Sequence, residues 1–223
     1  MAGTNSDSDK ISHCDNDEKD TREKILDAAI DLFARKGFDT VTMQEIADAV
    51  SIKKASLYYH YTSKEEILEK ILRYPNIRLA SIQEDMGLQI DGSEERIVSM
   101  GLEDSIAMAD DLSMRLMEDP RMEKIMRILY IELYRNDQVK QFYSRSMNYK
   151  HSMCTSLFAT LRKHKLIKPY DPEMLAREYL SFYSDASTEY FLFNYGKTAG
   201  SFRQEYKERI EQHNAFIINA LKP

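Results

Sequence analysis

The chain has 223 residues and a formal net charge of −6, with 7 Gly, 5 Pro, 2 Cys and 12 Met. An acidic total argues against a broad basic surface that would hold nucleic acid regardless of sequence, two separated cysteines give no disulfide framework, and so few Gly and Pro favour helices. No apolar run approaches the roughly eighteen residues needed to cross a bilayer, and the first twenty residues lack the apolar core of a signal peptide, so a cytoplasmic protein with no membrane partner is expected.

Residues 1–20 carry six acidic and two basic groups and read as a disordered acidic tail. Asp20 with Glu23 makes a capping pair that opens a first helix, on which Ile25, Ala29, Leu32 and Phe33 recur at helical spacing until Gly37 supplies a left-handed stop. Thr42 and Glu45 form a second reciprocal cap, so the next helix starts at Met43 and turns Ile46, Ala47 and Val50 inward, ending near Ala49 or Val50. After a tight turn, Lys53 to His60 is long enough for about two helical turns, with Leu57 inward and Lys53, Lys54, Ser56, Tyr58 and His60 outward. Ser63 and Glu66 repeat the capping pattern ahead of Ile67, Leu68, Ile71 and Leu72, which opens a fourth helix. Two short helices joined by a tight turn make a helix-turn-helix, and the second is the recognition helix.

Between Thr21 and Leu72, the runs Ile25-Leu26-Asp27-Ala28-Ala29, Leu32-Phe33, Lys36-Gly37-Phe38, Thr42-Met43, Ile46-Ala47 and Leu57-Tyr58-Tyr59-His60-Tyr61 resemble the DNA-binding domain of the tetracycline-repressor (TetR) family. The resemblance implies a DNA-binding domain over 21–66 whose contacts come from Thr42, Lys53, Lys54, Ala55, Ser56, Tyr58, Tyr59, His60 and Lys64. Three positions depart from the family's habit: Ser51 stands where the turn usually has Gly, Lys53 replaces the usual Ser cap, and Ala55 replaces a frequent Gly. A left-handed Ser51 would be strained by roughly 1 to 2 kcal/mol. Lysines at a helix N-terminus oppose the macrodipole yet suit a phosphate brought there, the alternative being two solvated charges. Residues 21–64 hold seven basic and six acidic groups, so binding must come from a few placed contacts. Doubling them in a two-fold dimer places recognition helices about 34 to 36 Å apart on a palindromic operator.

The remaining chain, 67–223, is composed for helices and is expected to form an all-helical effector-binding and dimerisation domain, making the fold all-α. Tyr74-Pro75 should end or kink the fourth helix, Ser93 caps another, Asp119-Pro120 starts a third, and Asn136-Asp137 precedes a long helix over Val139 to Leu166. The stretch from Lys168 to Pro172 separates that long helix from the last two. The penultimate one, about Glu173 to Tyr195, carries Tyr179, Phe182, Ala186 and Tyr190 on one stripe, and the last carries Phe202, Tyr206, Ile210 and Ile217. In the family resembled, these two helices build the homodimer, and we expect the dimer contacts on those eight residues, ordinary monomer core being the alternative. Methionines and aromatics between the two ends suit a pocket for a small apolar or aromatic effector, for which Met108, Met126, Tyr130, Tyr134, Met147, Phe158 and Tyr183 are the candidates. The resemblance implies that effector entry pivots residues 63–74 and separates the recognition helices.

His151 and Cys154 lie three apart, and His13-Cys14 sits in the tail, but no four-ligand set is visible, so neither metal nor cofactor is expected. No nucleophile elbow, phosphate loop or zinc-protease motif points to an enzyme. The function expected is a ligand-responsive repressor that binds double-stranded operator DNA as a homodimer. A TetR-like activator and a helical protein-interaction module remain the alternatives.

Overall fold

The computed structural model describes residues 7–87, 93–193 and 199–223, with side chains described from Asp20 onward except at 199–203. The regular elements among these residues are all helices: α1 (Asp7–Lys36), α2 (Met43–Ala49), α3 (Lys54–His60), α4 (Lys64–Asp85), α5 (Glu94–Met117), α6 (Pro120–Glu132), α7 (Asp137–Lys163), α8 (Pro172–Thr188) running into a π-helical segment (Glu189–Phe193), and α9 (Ala199–Leu221). The chain divides into two compact units between Tyr74 and Pro75.

In the first unit, α1 begins at Asp7 and not after Asp20, so the expected tail is helical from Asp7 on, and residues 1–6 lie outside those described. Asp20 therefore sits inside a helix, where its carboxylate meets Lys24 Nζ at 2.5 Å, one turn on, in place of a capping pair with Glu23. The stop is as expected: Gly37 adopts φ +80°, and its N–H donates to the Phe33 carbonyl at 2.9 Å. Ile25, Ala29, Ile30 and Phe33 of α1, Ile46 and Ala47 of α2, Leu57 of α3, and Ile67, Leu68 and Ile71 of α4 are buried together. Each fully buried side chain of this size contributes about 1.5 to 3 kcal/mol.

α4 passes through Pro75, where the sequence suggested an end or a kink. A proline in a helix interior removes one hydrogen bond and crowds the preceding turn, but here it does not end the helix.

In the second unit, the cap expected at Ser93 forms, and three more helices are capped by a side chain. The Asp119 carboxylate accepts from Arg121 N, Asn136 Oδ1 accepts from Gln138 N and Val139 N, and Asp171 accepts from Met174 N, with Pro120 and Pro172 in the first helical position. Ser93 Oγ accepts from Arg96 N. One feature had no advance signal: Gly101 takes φ +68° and ψ −168° and breaks α5 into two helical stretches, its carbonyl accepting from the Ser105 hydroxyl at 2.6 Å. α7 stops at Lys163, short of Leu166, because Lys165 turns left-handed at φ +58°. α9 returns antiparallel to α8, shown by Lys168 N donating to Leu221 O at 2.9 Å at one end and Ser187 meeting Tyr206 at 3.4 Å towards the other. The core between α5, α7, α8 and α9 holds Leu102, Ile106, Phe158, Leu161, Leu175, Ala176, Tyr179 and Leu221.

The penultimate helix was expected to run unbroken to Tyr195. It changes instead to π geometry at Glu189–Phe193. Ser184 and Thr188 hydroxyls donate to the carbonyls of Leu180 and Ser184, four residues back, at 3.1 and 2.8 Å, and such back-bonding competes with the helical ladder. Residues 194–198 lie outside those described.

Candidate nucleic-acid interface

Thr42 has extended backbone (φ −106°, ψ 156°) and caps α2 reciprocally with Glu45. Glu45 N donates to Thr42 Oγ1 at 3.2 Å, and Thr42 N donates to Glu45 Oε2 at 2.8 Å. The other carboxylate oxygen receives Lys36 Nζ at 2.8 Å. The Lys36 bond, followed by those from Thr42, holds the Glu45 carboxyl down at about 2.

The turn after α2 forms as a Schellman motif. Ser51 adopts φ +57°, its N–H donates to Asp48 O at 3.1 Å, and Ile52 N donates back to Ala47 O at 3.0 Å. The strain anticipated for a left-handed serine is therefore present.

α3 is anchored by Leu57, which is fully buried, and followed by the buried Tyr61. Its helical residues begin at Lys54, and Lys53 in the cap position provides no side-chain cap bond. Lys53, Lys54, Ala55, Ser56, Tyr58 and Tyr59 are all exposed, Tyr59 at 73%. Neither Lys53 nor Lys54 makes a described ion pair; Lys54 Nζ lies 5.9 Å from the centre of the Tyr58 ring. His60 is half-buried, edge-on to Tyr59 at 5.3 Å, with Nδ1 buried and lacking a hydrogen-bond partner. Thr42 is exposed at the start of α2.

Two details at α4 differ from expectation. Ser63 caps α4 by accepting from Glu66 N at 3.2 Å, but the Glu66 carboxylate returns to Thr62, accepting from its N–H and its hydroxyl, both at 2.7 Å. Those bonds lower the Glu66 pKa, the backbone one most. Lys64 was expected to lie free for a phosphate. Its ammonium points instead into the loop between α1 and α2 and bonds the carbonyls of Phe38, Asp39 and Val41.

The residues expected to line an effector pocket do not come together. Phe158 is core, 1% exposed and edge-on to Tyr179 at 6.0 Å. Tyr134 lies beyond the end of α6 and is 97% exposed. Met108, Met126 and Met147 are half-buried. Tyr130 stacks on Phe191 at 6.0 Å, and burial pushes its phenol up to about 12. Tyr183 belongs to a polar cluster, with its hydroxyl 3.0 Å from Tyr179 Oη, 2.9 Å from Asp110 Oδ1 and 3.0 Å from Asn214 Oδ1. A cavity of about 20 Å³ does exist, lined by Met114, Met117, Tyr190, Phe191 and Tyr206. It has room for little more than a water-sized group. Tyr190 and Phe191 of the π segment, both buried, are among its lining residues.

Several of the residues expected at the dimer contact pack within their own unit. Tyr179, Ala186, Tyr190 and Ile210 are buried within their own unit. Phe182 stacks on His213 at 3.9 Å, Tyr206 packs 5.3 Å from Tyr190, and Ile217 packs on the core. The side chain of Phe202 lies outside those described. Among the described side chains of α8 and α9, Met174 (44%) and Phe216 (67%) are the large exposed apolar residues. His151 and Cys154 share α7, burial pushing the thiol up to about 11. Among the described residues, no three His, Cys, Asp or Glu side chains gather as a metal site, and no helix is long and apolar enough to cross a membrane.

Residues 25–71 match the family model for bacterial regulatory proteins of the tetR family. The same region is 57% identical over 49 residues to the biofilm operon icaADBC HTH-type negative transcriptional regulator IcaR of Staphylococcus epidermidis, covering 22% of this chain and 26% of that protein. The chain thus matches about a quarter of that curated relative's length. Over 92% of the chain the fold is similar to that of a TetR transcription regulator from Haloarcula marismortui, with a TM-score of 0.66, 18% identity and 100% of that structure covered. It is also similar to a transcriptional regulator from Saccharomonospora viridis in complex with choline, with a TM-score of 0.61, 19% identity and 92% and 99% coverage. Residues 25–71 are thus similar to the tetR-family regulators in sequence, and the chain as a whole is similar to such regulators in fold.

Proposed function

We propose that this chain is a DNA-binding transcriptional repressor that reads a palindromic operator as a homodimer and releases it when a small molecule binds the second unit. The observation that carries the proposal is α3, held by buried Leu57 and presenting Lys53, Lys54, Ser56, Tyr58 and Tyr59 to solvent without a described ion pair on either lysine. Residues 21–66 form the reading domain and 67–223 the effector and dimer domain. The two lysines at the start of α3 neutralise phosphates, and Ala55, Ser56, Tyr58 and Tyr59 reach sugars and base edges. His60 sits behind them at the helix end. Two such helices, about 34 to 36 Å apart in a dimer, give enough contacts despite the acidic total. The dimer forms through the outer faces of α8 and α9, with Met174 and Phe216 at its apolar centre. The choline complex of the Saccharomonospora viridis regulator supports a small organic effector here too. The aromatic and methionine cavity beside the π segment is the point at which such a molecule would enlarge the interior.

The test is titration of a labelled duplex, taken from the DNA upstream of the chain's own gene, at several salt concentrations. Specific binding with a steep salt dependence is expected, and Lys53→Glu should abolish it. Equal affinity of Lys53→Glu and the unaltered chain would sink the placement of the recognition helix.

A further inference from the structure

The Val41–Thr42 peptide is held at both poles. Its N–H donates to Glu45 Oε2 at 2.8 Å, and its carbonyl oxygen, that of Val41, accepts from Lys64 Nζ at 2.8 Å. The same ammonium donates to Phe38 O at 2.7 Å and Asp39 O at 3.3 Å, and it sits 4.3 Å from the centre of the Phe38 ring. A lysine ammonium has three N–H donors and no acceptor. Three carbonyls and one ring face therefore use all of it, and a DNA phosphate could reach Nζ only by displacing one of them.

We propose that Lys64 is a positioning residue, which fixes the Val41–Thr42 peptide and so the direction in which Thr42 and the start of α2 meet DNA, and that it makes no phosphate contact itself. The proposal rests on the DNA-reading function proposed above. The shape of the cup explains the residue type. Three carbonyls converging on one point suit a compact ammonium, whereas the planar guanidinium of arginine fans its donors outward. A phosphate contact has the opposite preference, since arginine serves it at least as well.

The experiment compares Lys64→Met, Lys64→Arg, Thr42→Ala and the Lys64→Met/Thr42→Ala pair with the unaltered chain. The readouts are amide hydrogen exchange at Thr42 and binding to the upstream duplex over a range of salt. Lys64→Met should speed exchange of the Thr42 amide by about tenfold or more, the scale of one lost charge-assisted bond, while Ile67, Leu68 and Ile71 amides stay protected. It should weaken DNA binding with an unchanged salt slope, Lys64→Arg should behave alike, and the pair should lose less than the two single effects combined. A purely structural role would leave those losses additive. If Lys64→Met instead lowers the salt slope by about one with Thr42 exchange unchanged, or Lys64→Arg keeps full affinity, the proposal is overturned. Should Lys64→Met not fold, Lys64→Arg decides by the same readouts. If the unaltered chain binds no such duplex, the DNA-reading function fails by itself, and exchange at Thr42 still shows whether Lys64 holds the peptide.

Discussion

Tyr183 on α8 donates its phenol proton to Asp110 Oδ1 on α5 across 2.9 Å, and the Asn214 amide on α9 donates to the other oxygen of the same carboxylate. Tyr183 has a single proton, yet three oxygens face it, those of Tyr179, Asp110 and Asn214. Burial raises the Asp110 pKa, the two hydrogen bonds lower it less, and Glu211 on α9 adds to the rise. A carboxyl raised in the folded state stabilises the fold fully at low pH and loses that stabilisation as pH climbs through the folded value.

Asp110→Asn keeps the shape of the neutral acid and removes its titration. Thermal melts across pH should show the unaltered chain losing stability, relative to the variant, as pH rises above the ordinary aspartate range. Parallel curves would mean that Asp110 does not hold its proton in the fold.

Glu45 has the opposite sign. Its carboxyl is lowered to about 2, first by Lys36, so its capping contribution is present above the ordinary carboxylate range and is lost as pH falls through about 2. The Thr42 amide resonance should titrate there. Lys36→Met should move that inflection up towards the ordinary glutamate value, and an unmoved inflection would assign the shift to Thr42 alone.

Ser51 holds φ +57° at the end of α2. Ser51→Gly relieves the left-handed strain, less the extra freedom glycine brings to the unfolded chain, and should stabilise by about 1 kcal/mol in chemical denaturation. Ser51→Val should destabilise. Loss of stability in the glycine variant would show that the serine hydroxyl matters more than its backbone.

Phe216 is 67% exposed on α9 while Ile210 of the same helix is 7% exposed. Sedimentation equilibrium at micromolar concentration should give a dimer for the unaltered chain and a folded monomer for Phe216→Glu. Ile210→Glu, by contrast, should unfold the second unit. A dimeric Phe216→Glu would place the interface elsewhere.

The first unit was legible because its signals are local. Thr42 with Glu45, Gly37 after Phe33, and Leu57 between polar neighbours each act within a few residues, and the structure places them as read. The direction of the Lys64 ammonium was not legible because its partners, Phe38, Asp39 and Val41, lie more than twenty positions away, where spacing has no say. In the second unit the cap at Ser93 and the helix starts at Asp119-Pro120 and Asn136-Asp137 were equally local and equally legible. Which stripe of α8 faces inward was not, since Tyr179 and Ala186 suit an intramolecular core as well as an interface. Asp110 stands beside Asp111 in the sequence, and only the fold brings Tyr183 and Asn214 to it.

The π segment at Glu189–Phe193 puts two consecutive aromatic rings, Tyr190 and Phe191, into one interior, although neighbours on an α-helix diverge by about 100°. Closing a turn over one extra residue is how a helix absorbs a single inserted amino acid without altering what lies before it. Losing one codon there would return α8 to a plain α-helix and leave Tyr179 and Tyr183 in place. The same loss a few residues earlier would part Tyr183 from Asp110. The segment is thus the place in this helix where the length of the gene can change while the Tyr183–Asp110 junction survives.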